Sequence, residues 1–386
     1  MNSRERVLAA IEHREPDRIP FDLGGMAQSG MHAIGYRNLR EHLGLPAKKA
    51  RIQNINTQQA CFDEDIQEKL STDAVMINSD WASVEKSQVY DQGEYWGYLD
   101  DWGVKRRMPK NGGLYFDVCS HPLAGDGVLE KFKQYPWPDP VRDKRFGEFR
   151  GEARRARARG KFTVLMGLCP GIVEMYAWMR GFEDFYMDLA SQPKVAEMFL
   201  DKLAALKIAY WERALAELDG LVDAINEADD MAGQTNLLFS PATYRNIVKP
   251  YHRKLFQAIK RAAPQVKIIF HSCGSVRKLI PDLIENGVDI LNPLQVSATG
   301  MDPLELKREF GRDICFWGGG VDAQNVLTQG PAESIRENVL YNLNALAPGG
   351  GFIFAPTHII QPLVTPENVL VMWNTLQEYN LKAPAP

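Results

Sequence analysis

Five cysteines in 386 residues, an odd number at irregular spacing, leave no basis for a disulfide framework. Cys61, Cys119, Cys169, Cys273 and Cys315 instead fit a reducing compartment. No run approaches the ~18 apolar residues that a membrane span needs. The start, Met1-Asn2-Ser3-Arg4-Glu5-Arg6, lacks the apolar core of a signal peptide. A cytoplasmic location is the expectation. Charge of one sign is lacking too, since 45 basic and 49 acidic residues leave a net charge of −4. That balance points to neither nucleic acid nor membrane as a partner. The basic run Arg154-Arg155-Ala156-Arg157-Ala158-Arg159 lies in a helical pattern and reads as a solvated face. No G-x-G-x-x-G follows the first strand pattern, which argues against dinucleotide binding. Gly318-Gly319-Gly320 lacks the G-K-[ST] ending of a P-loop and reads first as a tight turn after a strand. No internal repeat is evident.

What is present is alternation. Short apolar, β-branched runs at 18–23, 73–77, 162–167, 221–226, 266–271, 288–292, 314–318 and 351–355 read as eight strands. From residue 144 onward they alternate with helical patterns, which implies a parallel sheet. Eight such units predict a (β/α)8 TIM barrel, with an open doubly wound sheet as the alternative. The predicted domain spans 1–380 with a tail at 381–386. Residues 80–125 break the pattern. They are rich in Tyr, Trp, Gly and Asp and read as an N-terminal β-rich excursion, a lid or small subdomain.

Chemistry in a parallel barrel sits at the C-terminal ends of the strands. One strand ends in His271-Ser272-Cys273-Gly274, and the last is followed by Thr357-His358. In extended chain, residues two apart project to one side, so His271 and Cys273 share a face. Two imidazoles and a thiolate with a fourth position open suit a catalytic zinc ion. Glu227, Asp229 and Asp230 follow another strand and are candidates for a fourth ligand, a second layer of support or a proton carrier. The same residues also admit blander readings. A lone H-x-C is more often a core histidine beside an inert cysteine, a strand-end histidine often bonds backbone, and loop carboxylates are often simply solvated.

In order along the chain, several segments resemble the uroporphyrinogen decarboxylase superfamily. These are Arg4-Glu5-Arg6-Val7, Pro16-Asp17-Arg18-Ile19-Pro20, Asp101-Trp102-Gly103-Val104, Asp229-Asp230-Met231-Ala232-Gly233-Gln234 before Phe239-Ser240-Pro241, His271-Ser272-Cys273-Gly274, and Gly349-Gly350-Gly351 with Ala355-Pro356. Decarboxylases of that superfamily carry an arginine-rich segment after the first strand. Here Gly24-Gly25-Met26-Ala27-Gln28-Ser29-Gly30 stands there, with no arginine between Arg18 and Arg37. The resemblance therefore implies the zinc-dependent, corrinoid-linked methyltransferase branch. Its members pair H-x-C with a later cysteine in A-P-G-C, where this chain has Thr357-His358.

By that resemblance His271, Cys273 and His358 would hold Zn2+, and Glu227 or Asp230 would position substrate, zinc or a proton. A methyl group would pass between a small methylated donor, such as a methoxylated aromatic undergoing O-demethylation, and the corrinoid (cobalamin) of a separate protein. The direction of transfer and a homodimeric state are left open. The other readings are a uroporphyrinogen-type decarboxylase, a zinc hydrolase and a non-catalytic corrinoid- or small-molecule-binding protein.

Overall fold

The computed structural model describes residues 1–77, 87–141, 146 and 148–382. Seven parallel strands form one curved sheet, each beside its neighbour in sequence: Ala74–Ile77, Phe162–Met166, Ala224–Ala228, Lys267–His271, Ile290–Asn292, Cys315–Trp317 and Phe352–Ile353. Helices cross between them, among them Phe149–Ala158, Ile172–Arg180, Pro193–Leu218 and Lys249–Ala262. The gap between the outer two strands is closed by residues 20–22. Phe21 bridges Phe354 in parallel, Asp22 N donates to Phe354 O at 2.8 Å, and Asp73 N donates to Phe21 O at 2.7 Å. The fold is a (β/α)8 barrel.

Two expected strands differ from what forms. The run 18–23 contributes a single bridge at Phe21. Pro20 has no N–H to give a ladder, and Asp22 Oδ1 draws the Gly25 N–H at 2.7 Å into a turn. The run 221–226 pairs only from Ala224 and continues to Ala228, so Glu227 lies within the strand rather than after it. The first part of the excursion (80–86), the start of the helix expected over 144–159, and the tail from 383 lie outside the described residues. Among the described residues no helix is long and apolar enough to cross a membrane.

Strand periodicity sorts the side chains into two cores. Ala224, Ile269, Ile290, Cys315 and Ile353 fill the inside of the barrel with Met76, Val164 and Trp317. Their alternates Ile225, Phe270, Leu291 and Phe316 face out and pack under the helices. Gly318 and Gly319, at φ +97° and +83°, turn the chain sharply after Trp317, as the tight-turn reading predicts.

The excursion is a four-stranded antiparallel sheet, Tyr90–Gln92, Tyr95–Leu99, Lys105–Pro109 and Asp117–Ser120. Tyr98 and Phe116 pack with Ile55 in a small core of their own. The backbone N of Phe116 bonds Asn56 O at 2.9 Å, and Tyr115 OH bonds the Gln361 side chain. This sheet is thereby tied down over one side of the barrel mouth.

The N-terminal helix Ser3–Ile11 is fastened to the barrel by charge. Asp73, 1% exposed, accepts from Arg6 Nη1 at 2.8 Å, Arg18 Nη2 at 2.9 Å and Phe21 N at 2.9 Å. Removing that carboxylate takes the buried partner from two guanidinium groups, leaving Arg6 with Asp17, and breaks the bond that holds the closing segment. Asp73→Ala should lower unfolding free energy by about 3–5 kcal/mol, read from urea denaturation.

Candidate metal centre and cavity

His271 is the last residue of its strand, and its ring points up the inner side of the barrel. Nδ1 lies 2.6 Å from Asn292 Oδ1 on the next strand, and Asn292 Nδ2 in turn donates to Trp317 O at 2.7 Å. The second bond fixes which end of the amide faces the imidazole. The oxygen can only accept, so the proton sits on Nδ1 and Nε2 carries the free lone pair. Nε2 lies 3.4 Å from Cys273 Sγ. His358 comes in from the last strand with its ring centroid 5.5 Å from that of His271. One ligand atom each from His271, Cys273 and His358 fall within 4.8 Å of one another. The structure thus brings together the three residues that the strand ends suggested.

Gly274 makes the turn after Cys273 feasible. Its φ is +83°, and a Cβ there would lie 2.5 Å from Gly233 O and 2.7 Å from Ala232 O. Cys273 N donates to Asp230 Oδ1 at 2.8 Å, and that oxygen is 3.7 Å from His271 Nε2. Asp230 therefore stands at the site, as expected.

Protonation follows from burial and neighbouring charge. Burial first, then Asp230 and Glu174, pushes the Cys273 thiol well above its ordinary range. Burial, helped by His271 and opposed by Asp230, pulls His358 down to about 4. A neutral imidazole is available for coordination, while the thiol must lose its proton to a metal. The donor set, two neutral imidazoles and one thiol with His271 already held in the right tautomer, fits a borderline-soft divalent ion.

Glu227 is not at this site. It alternates with the inward-facing Asn226 and Ala228 and so points out into the wall, where it is 2% exposed. There Oε2 meets Lys207 Nζ at 3.0 Å and Oε1 accepts from Trp211 Nε1 at 2.5 Å. Lys207 also donates to Cys169 O and Pro170 O at 3.0 and 2.8 Å. The pair braces the turn that leads into helix Ile172–Arg180. A role for Glu227 in positioning substrate, metal or a proton is thereby corrected to a role in the wall, because a two-residue period puts its side chain on the opposite face from the mouth.

Asp229 is likewise a support. Its Oδ1 accepts the N–H groups of Val173 and Glu174 at 2.9 and 2.8 Å, and its Oδ2 lies 2.8 Å from His252 Nε2. It satisfies the open donors of the helix's first turn from a distant segment. Glu174, in that same turn, lines the cavity. Burial, then Asp230 and Asp229, raises its carboxyl well above the usual range. Sequence reading passed over Glu174. An acid in the first turn after a strand-end Cys-Pro-Gly was the available signal, but it is also ordinary helix chemistry.

The mouth encloses a cavity of about 430 Å³, within the range of small-molecule sites. His271, His358, Asp230 and Glu174 line one part of it, and Asn54, Asn56 and Gln59 from the segment 52–60 line another. The excursion sheet contributes Arg106, Tyr115 and Phe116. The hairpin of that amide-rich segment (Ile52–Asn54 with Gln59–Ala60) places it at the mouth.

With this geometry in view, the relatives are informative. The family model "Uroporphyrinogen decarboxylase (URO-D)" matches residues 111–379. The uroporphyrinogen decarboxylase of Chlorobium phaeovibrioides is 24% identical over 99% of both chains. That of Trichodesmium erythraeum is 27% identical, and there the match spans only 48% of either protein. Similar half-length matches recur among other curated relatives. A methylated-thiol–coenzyme M methyltransferase of Methanosarcina mazei is 24% identical over 62% of this chain and 59% of its own. Among solved structures, a methyltransferase from Methanosarcina mazei superposes with a TM-score of 0.66 at 18% identity, covering 98% of this chain and 99% of that one, which is likeness of fold.

The donor cluster has a direct test. Elemental analysis of protein purified without chelator should find about one zinc per chain in the wild type and little in Cys273→Ala. Asn292→Ala keeps all three donors but frees the His271 ring, and should weaken zinc binding by about 10–100-fold. Zinc uptake by the stripped protein near pH 7 should release about one proton, from Cys273, because His358 is already neutral.

Proposed function

This chain belongs to the uroporphyrinogen decarboxylase family, and on that premise we propose that it is a zinc-dependent methyltransferase acting between a small methylated donor and a corrinoid protein. The observation that carries the reading is the convergence of His271, Cys273 and His358, a donor set for which a decarboxylase has no evident use. Zinc held by these three would serve as a Lewis acid toward the heteroatom that carries the methyl group. The name of the Methanosarcina mazei relative supports methyl transfer as the reaction class.

The residues of this chain would divide the remaining work. Asn292 holds His271 in its ligating tautomer. Asp230 accepts the Cys273 N–H and keeps negative charge beside the cluster. Glu174, whose protonated form is favoured by burial and its acidic neighbours, would be the group on the cavity that supplies a proton. For an O-methyl donor the balance is simple. The C–O bond breaks with its electron pair left on oxygen, which takes the proton of Glu174. The methyl carbon is attacked by the electron pair of the reduced cobalt of the partner's corrinoid.

The decarboxylase reading draws on the full-length likeness to the Chlorobium enzyme. Against it, Arg106 is the only basic residue other than histidine among the described residues lining the cavity, facing Glu174, Asp230 and Asp117. A substrate with many carboxylates would find few cations there.

Two measurements test the proposal. Incubation with a methyl donor and cob(I)alamin should give the visible-spectrum change of methylation for the wild type, and none for Cys273→Ala. Turnover of uroporphyrinogen instead would sink it. Glu174→Gln should lower kcat by about 10²–10⁴-fold. In the wild type, activity should fall as pH rises through the raised pKa of Glu174. The sign for stability is the same. A carboxyl whose folded pKa is raised loses stability as pH climbs from its unfolded value through the folded one, so Glu174→Gln should melt at or above the wild type at pH 8.

A further inference from the structure

The donor cluster and its acids stand on the barrel side of the cavity. The excursion strand Lys105–Pro109 brings Arg106 to the same cavity, 3% exposed and near enough to act on the Glu174 carboxyl. Its guanidinium lies over the Trp178 ring, 4.3 Å from the centroid, which fixes its plane. Only Nε is spent on a carboxylate, Asp100 Oδ2 at 3.3 Å. Among the described residues the two Nη groups make no hydrogen bond, although a buried guanidinium ordinarily needs its donors met. Asp100 is itself occupied, its Oδ1 accepting from Trp102 N and Val104 N at 2.9 Å each.

Three residues that line the cavity also carry a sealed side-chain oxygen without a partner, Gln28 Oε1, Thr57 Oγ1 and Gln59 Oε1. Aromatic rings of Tyr115, Phe116 and Trp178 line the same space. Unmet donors on Arg106 beside flat apolar walls describe one molecule. It would be planar, polar at its edges and negatively charged at one end.

We propose that Arg106 forms an anion subsite that binds an oxyanion, carboxylate or sulfonate, on the small molecule whose methyl group is exchanged at the His271–Cys273–His358 end. The idea rests on the methyltransferase reading for the identity of that molecule, but the subsite can be tested without methyl transfer. Arg106 also tethers the excursion sheet through Asp100 and Trp178, so a purely structural role must be separable from recognition. Binding an anion in the cleft would place the sheet and the barrel on one ligand.

The test is calorimetric binding of 4-methoxybenzoate, 4-methoxybenzenesulfonate and neutral 4-methoxybenzamide to the full-length, zinc-loaded protein. In the wild type at least one anion should bind about tenfold or more tighter than the amide, the scale of a charge-assisted bond. Arg106→Met should bring that ratio close to one, and Arg106→Lys should restore part of it. Which anion binds tighter identifies the oxyanion, and either supports the subsite. Equal binding of all three to the wild type overturns the proposal, as does no binding of either anion. If Arg106→Met weakens acid and amide alike, Arg106 is only a structural tether and the proposal fails. Charge selectivity without any methylation of cob(I)alamin would keep the subsite while removing the methyltransferase reading.

Discussion

The site depends on one short contact, the 2.6 Å approach of His271 Nδ1 to Asn292 Oδ1. It joins two neighbouring strands just where the sheet ends, and Asn292 passes the constraint to a third strand through Trp317 O. Because an amide oxygen only accepts, the bond decides the tautomer of the imidazole and with it which nitrogen faces the cavity. Cys273 then sits beside that nitrogen because an extended chain repeats every two residues, and Gly274 lets the backbone leave at once in a conformation closed to other residues. His271 and Cys273 are held in this way, the first by Asn292 and the second by the bond of its N–H to Asp230.

Around this contact, carboxylates of the same kind do different work according to the face they occupy. Asp73 gathers Arg6 and Arg18 and seals the first segment to the barrel. Asp229 substitutes for a local cap at the start of helix Ile172–Arg180 and so sets the position of Glu174. Glu227 is bound up with Lys207 and Trp211 in the wall. Asp230 and Glu174 alone among these reach the cavity, where burial first and then Asp230 raise the Glu174 carboxyl. The chemistry is thus placed by supports that never touch a ligand.

The excursion sheet completes the picture. The barrel by itself supplies metal-type donors and acids, a combination hostile to an anionic ligand. The sheet brings in Arg106, buried against Trp178 and lining the cavity. The segment 52–60, tied to the sheet through Asn56 and Phe116, adds the amide side chains of Asn54, Asn56 and Gln59. Recognition and reaction therefore come from separate parts of the chain that meet across the cavity.

The barrel was legible in the sequence because strands buried on both faces are continuous β-branched runs and their alternation with helices leaves few topologies. His271, Cys273 and His358 were legible for the same reason, being ligand-type residues at the ends of such runs, and so was Asp230. Glu227 was misplaced by a strand boundary. The strand starts three residues later and ends two later than the run 221–226, which puts a loop acid into the wall, and periodicity read from one chain does not set where pairing starts. Glu174, Asn292 and Arg106 were silent, since each is ordinary where it stands in sequence and gains meaning only from a neighbour far along the chain. Residue type and period determined which side chains collect at the mouth. Which of them touch, which hold protons and which stay unpaired was decided only by long-range packing, because those properties belong to pairs of groups and to their burial.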